Sequence, residues 1–170
     1  MSQIWIAEAI GAIAIVFNVF GYRSNDMQRF LVFSGCAMIC LSTHFFLLDA
    51  LAAGIGCGLA AIRNAVALKF KGKRILVLFL SLTIGFFLFE WFVLAHGYLI
   101  LLAYGASIIF TAGSIVITDV AVMRRWFIFA ESLGLLYALG VGSIFGSVFN
   151  TINLFSIALK SWQQRQQSQQ

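Results

Sequence analysis

The chain contains no proline, only three cysteines, and few charges: of its 170 residues, 10% are Asp, Glu, Lys or Arg. A soluble domain carries about 25% charged residues, so a chain this poor in charge cannot cover a water-facing surface. The absence of proline removes proline-hinged helices from consideration. Cys36, Cys40 and Cys57 all fall in apolar segments and form no loop framework, so they argue neither for disulfides nor for an oxidising compartment. There is no Gly-rich phosphate loop, no H-E-x-x-H metal motif and no nucleophile elbow. No cofactor is implied, and an enzyme reading would rest on His44 and Glu131 alone.

What the chain has in abundance is apolar length, with 62% of its residues hydrophobic. A bilayer core is about 30 Å thick and takes about 20 apolar residues per helix, so the chain has room for roughly seven spans and no separate soluble domain. The first apolar stretch, Ile4 to Phe20, has no Lys or Arg before it and holds Glu8, so it reads as a span and not as a secretory signal. Breaks in the pattern predict spans near Ile4–Phe20, Phe30–Leu48, Ala50–Leu68, Ile75–Ala95, Tyr98–Ile117, Val120–Leu139 and Ile144–Leu159. The fold class expected is an all-α integral membrane protein of seven transmembrane helices.

Charge decides the orientation. Arg23, Arg29, Lys69, Lys71, Lys73, Arg74, Arg124, Arg125, Lys160 and Arg165 fall on one side of a seven-span arrangement, with Arg63 alone inside a helix. The connections at Asp49, at Ala95 to Gly97 and at Gly140 to Ser143 hold no Lys or Arg. Basic loops stay in the cytoplasm, so the amino terminus is expected outside and the carboxyl terminus inside. A net charge of +5 placed at span ends is a topology signal and not a nucleic-acid patch. The polar run Gln163 to Gln170 reads as a disordered tail.

The sequence also resembles itself. Leu47-Leu48-Asp49-Ala50-Leu51 recurs as Leu135-Leu136-Tyr137-Ala138-Leu139, and at the same offset Gly54 and Gly58 recur as Gly142 and Gly146. One residue later in register, Asn64 meets Asn153 and Lys71 meets Lys160, while Gly11-Ala12 can be laid on Gly105-Ala106 and Arg29 near Arg125. The pattern implies a three-helix repeat over 1–71, a linker helix over 72–97 and a second repeat over 98–162. Units that begin four spans apart enter the membrane in the same direction, the parallel arrangement found in several carriers.

Ionisable and amide groups at membrane depth cost about 2.5 kcal/mol or more when charged, which makes them candidates for function. Glu131 lies midway along its helix; it either exchanges a proton or holds a cation, or it is a protonated carboxyl bonded to a neighbouring helix. Asn150 and Asn153 share one helix face, and Asn64 is their counterpart in the third span. Amides offer donors and an acceptor to a hydroxyl-rich or zwitterionic solute, or else bond helix to helix. His44 sits above Cys36 and Cys40 on one stripe; with no carboxylate to complete a metal set, it reads as a solute contact or proton carrier. Arg63 is expected to reach the headgroups through its long side chain. Glu8, Glu90 and His96 read as span-end residues, and Trp5, Trp91, Trp126 and Trp162 as interfacial ones.

The basic loop Tyr22-Arg23-Ser24-Asn25-Asp26-Met27-Gln28-Arg29, with His44-Phe45-Phe46-Leu47-Leu48 and Arg63-Asn64-Ala65-Val66, resembles the YgjV-type bacterial inner-membrane proteins. The three-plus-one-plus-three plan is similar to the SWEET and SemiSWEET sugar transporters and their PQ-loop relatives. That resemblance implies a solute carrier in which the third-helix asparagines, here Asn64 and Asn153, help form a sugar site. Gly21-Tyr22 stands about where those families carry Pro-Gln. The expected partners are the lipid bilayer and a small solute, a sugar or sugar derivative first, bound by Asn64, Asn150, Asn153, Glu131 and His44; a homo-oligomer stays open. The alternative is a non-transporting interaction or regulatory protein of the same fold.

Overall fold

A computed structural model describes residues 2–48, 51–93, 97–140 and 142–167; Asp49, Ala50, Ala95 and His96 lie outside them. Seven helices run α1 (Ser2–Arg23), α2 (Met27–Leu47), α3 (Leu51–Lys69), α4 (Lys73–Phe92), α5 (Ile100–Val116), α6 (Val120–Gly140) and α7 (Ile144–Gln167). Each expected span has its helix, and no strand occurs among the described residues. Three of these helices are long and apolar enough to cross a membrane on length and composition: Trp5–Arg23, Met27–Leu47 and Lys73–Phe92; α5 is apolar but shorter. Helix α7 continues to Gln167, past Gln163 where the polar tail begins.

Local chemistry sets the ends. Asp26 turns extended at φ −110°, and its carboxylate accepts from the Gln28 and Arg29 amides at 3.3 Å each. Asp119 does the same for α6, accepting from the Ala121 amide at 2.7 Å and the Val122 amide at 3.3 Å. Each aspartate satisfies amides that the first helical turn leaves unpaired. Gly72, at φ 131°, makes the turn into α4, a backbone region open to glycine alone without strain.

The chain divides into two compact units, Met1–Phe70 and Lys71–Gln170. In the first, α2 packs against both α1 and α3; in the second, α4, α5, α6 and α7 pack in sequence, each on the next. The interval from Asp26 to Asp119 also separates Ala7 from Ile100, Asn18 from Thr111, Tyr22 from Ile115, Phe30 from Met123 and Ala37 from Ala130, and every one of these residues is buried. In the last helices of the units, Asn64 and Asn153 are separated by an interval four residues shorter, as are Ala67 and Ser156, and all four are buried. Four residues is about one helical turn, so the same face stays inward. This burial register is one residue off the Gly11–Gly105 sequence match.

The outward surfaces are apolar: Trp5 is 74% exposed, Phe92 75% and Ile144 82%. Two buried hydroxyls turn back onto their own helices, Thr83 donating to the Phe79 carbonyl and Ser114 to that of Phe110, both at 2.8 Å, while Ser42 of α2 donates across to the Gly54 carbonyl of α3 at 2.7 Å. Such bonding keeps hydroxyls satisfied where water is absent.

Helices α6 and α7 meet at Gly134, where a Cβ would fall 2.6 Å from Asn150 Oδ1. Gly85, on α4, has nothing within 4 Å. Gly134→Leu is therefore expected to lower unfolding free energy by about 1–3 kcal/mol through overpacking, with Gly85→Leu close to neutral. Thermal unfolding of both variants in one detergent checks the contrast.

Candidate functional site

Each unit buries a polar cluster on its last helix. In the first, Asn64 is 1% exposed; its Nδ2 donates to Ser34 Oγ on α2 at 3.0 Å. Its Oδ1 accepts from Arg63, from Nε at 3.4 Å and from Nη2 at 3.3 Å. The Arg63 side chain is thus buried and folded onto its neighbour, and the expectation that it reaches the headgroups is corrected: an acceptor one residue away holds it in the interior. Asn64 spends both ends of its amide inside the unit.

In the second unit Glu131 of α6 faces Asn153 of α7. The Asn153 Nδ2 donates to Oε1 at 3.2 Å and to Oε2 at 3.1 Å, and both side chains are buried. Counted at about 1.5 Å per residue, Glu131 lies about 16 Å into α6, near its middle, and Asn153 about 13 Å into α7. Hydrogen bonds between such groups are stronger in a medium of low dielectric than in water. Asn153 Oδ1 and, one turn further along α7, Ser156 Oγ are buried with no hydrogen-bond partner among the described residues.

The remaining expected residues divide differently. Asn150 is half-buried and donates to the Gly146 carbonyl of its own helix at 2.7 Å, with its oxygen against Gly134. His44 is buried, its Nδ1 2.7 Å from the Ala7 carbonyl oxygen, which joins α2 to α1. Cys36 and Cys40 are free, and among the described residues no group of three His, Cys, Asp or Glu side chains gathers to hold a metal. The structure therefore brings Glu131 and Asn153 together, while Asn64 and His44 make their contacts within the first unit.

Arg124 belongs with these residues although it reads as a loop charge in the sequence. It lies on the buried face of α6 with Val120, Met123, Phe127 and Glu131, fully enclosed. The signal that finds it is the spacing from Glu131, seven residues or two turns on one helix face. Its neighbour Arg125 points outward. Ser34 and Ser156 carried no such signal, since a serine in an apolar helix more often bonds back to its own carbonyls.

Comparison with known proteins adds a family. A family model described as Imp-YgjV, bacterial inner membrane protein, matches residues 5–168. The inner membrane protein YgjV of Escherichia coli (strain K12) is 29% identical over 85 residues, 50% of this chain and 46% of that protein, so the chain is similar to less than half of its relative's length. No solved structure matches the chain.

The Glu131–Asn153 contact predicts energetic coupling. In a double-mutant cycle of Glu131→Ala and Asn153→Ala, the coupling free energy is expected near 0.6 kcal/mol and no more than about 1.7 kcal/mol, as for other polar pairs between membrane helices. Unfolding in bicelles measures it, and additivity of the two changes would contradict the contact.

Proposed function

We propose for this chain, which belongs to the Imp-YgjV family of bacterial inner membrane proteins, a role as a small-solute carrier working by alternating access. The observation that carries the reading is the Glu131–Asn153 pair: a carboxylate and an amide bonded across two helices near mid-span, beside two oxygens still able to accept hydrogen bonds. A packing contact alone has no need of a carboxylate, since alanine and glycine bring helices together at lower cost. Polar groups that remain at this depth more often line a solute or ion path.

In this reading all seven helices span, with the amino terminus outside and the carboxyl terminus in the cytoplasm. The chain is a pair of parallel three-helix repeats joined by α4. Two features support the repeat: the matching aspartate caps of α2 and α6, and the common burial interval of α1–α2 with α5–α6. Asn153 and Glu131 are the principal solute contacts, with Asn150, Asn64 and His44 further contributors. A sugar or sugar derivative is the first substrate class, on the likeness of plan to the SWEET carriers, and no catalytic step is assigned to any residue.

A second reading, a non-transporting regulatory protein of the same fold, draws on the first unit. There Asn64 is held at both ends by Ser34 and Arg63, as a purely structural amide would be. Under that reading Asn64→Ala and Asn153→Ala both lower thermal stability, and no solute binding changes.

Uptake of a panel of labelled sugars and organic acids into proteoliposomes separates the two. The carrier reading expects uptake of at least one solute, reduced about tenfold or more by Asn153→Ala, the equivalent of about 1.4 kcal/mol of lost interaction. No uptake of any solute, or uptake indifferent to Asn153, contradicts it.

A further inference from the structure

We infer that the run from Lys69 to Arg74, which leads from α3 into α4, binds the headgroup of an anionic phospholipid. Within six residues the chain carries Lys69, Lys71, Lys73 and Arg74, with Phe70 and Gly72 between them. All six residues are exposed, Phe70 to 60%. No Asp or Glu occurs between Asp49 and Glu90, and none of the four cations has an ion pair among the described residues. The aspartates at two other helix starts are engaged where they stand: Asp26 caps α2, and Asp119 caps α6 and interacts with Arg124.

The place of the run follows from α4, whose Lys73–Phe92 stretch is long and apolar enough to cross a membrane. Its 20 residues, at about 1.5 Å each, match a hydrocarbon core of about 30 Å. The first residues of α4 therefore stand at headgroup level, where the phosphates are and where an exposed aromatic ring can enter the boundary with the acyl chains. Six residues reach at most about 20 Å when fully extended, so the four charges stay together whatever the turn does. Each basic residue near an anionic membrane surface contributes about fivefold to the attraction.

Helix stability does not account for these residues. Lys73 and Arg74 occupy the first turn of α4, Gly72 at its N-cap supplies no side-chain bond, and positive charge at a helix start opposes the helix dipole. A lipid phosphate relieves that opposition and the mutual repulsion of four like charges. An anionic headgroup serves better than a zwitterionic one, whose own ammonium already answers its phosphate. The sign of the run also serves membrane orientation; lipid selection is a separate equilibrium property and depends on no transport.

The test compares phosphatidylglycerol with phosphatidylcholine, each carrying a dansyl label on an acyl chain. Binding to the full chain in detergent is read by energy transfer from tryptophan. Phosphatidylglycerol is expected to bind about tenfold tighter or more in low salt, and the preference should fall in about 0.5 M sodium chloride, where screening shortens the reach of the charges. Lys71→Gln alone should lower the preference about fivefold. Lys69→Gln, Lys71→Gln, Lys73→Gln and Arg74→Gln together should bring it to about one. Arg23→Gln with Arg29→Gln, both exposed at the turn between α1 and α2, should change it by less than about twofold. Equal binding of the two lipids overturns the inference, as does a preference that survives the fourfold change or is lost as fully with Arg23 and Arg29. Displacement of the lipid by inorganic phosphate, beyond that by sodium chloride at equal ionic strength, would assign the run to a free anion and overturns it too. Should the fourfold variant fail to fold, Lys71→Gln decides.

Discussion

A polar group buried between apolar helices has no water to turn to, and its hydrogen bonds must close within the protein or upon something the protein holds. Most of this chain meets that condition locally. The helices satisfy their own backbones, Asp26 and Asp119 take up first-turn amides, and Thr83 and Ser114 bond back to carbonyls one turn earlier. Two asparagines, each on the last helix of its unit, go further and reach across to a second helix. Asn64 engages both its nitrogen and its oxygen, on Ser34 and Arg63. Asn153 engages only its nitrogen, on Glu131, and its oxygen remains open. The two units thus solve the same problem with different degrees of completeness, and the incomplete one is where a ligand has most to gain.

Their charges differ as well. Beside Asn64 the buried ionisable group is a guanidinium, and beside Asn153 it is a carboxylate. At the interval that aligns the buried faces of α2 and α6, the position of Glu131 falls on Met38. The second unit thus holds a carboxyl group where that interval places a methionine in the first. A buried carboxylate is costly in lipid, which gives it weight as a functional residue.

Much of the fold was legible in the sequence because lipid imposes a simple code of length and charge. The seven apolar runs became seven helices, and the largest differences lie at ends governed by local chemistry. Helix α2 begins at Met27 and not Phe30 because Asp26 caps it. Helix α7 runs on through Gln163 because glutamine and arginine are good helix formers. Glu131 and Asn153 each stood out by depth, but their pairing depends on how α6 and α7 are rotated about their axes, which packing decides and a single chain does not spell out. Arg63 was misjudged because side-chain length was weighed without its neighbour's acceptor. Arg124 was hidden by adjacency to Arg125, although its spacing from Glu131 placed it on the buried stripe.

The central claim is that the Asn153 cluster is a working site and not a packing contact, which requires that small charged solutes reach it in the membrane. Thiol labelling tests this directly, in a chain whose Cys36, Cys40 and Cys57 are replaced and which carries one new cysteine. A cysteine at Asn153 should react with a small cationic methanethiosulfonate in intact membranes. One at Phe155, whose side chain is 65% exposed on the apolar outer surface, should not. Equal silence at both positions would mean that α7 is sealed at Asn153, and would contradict the account.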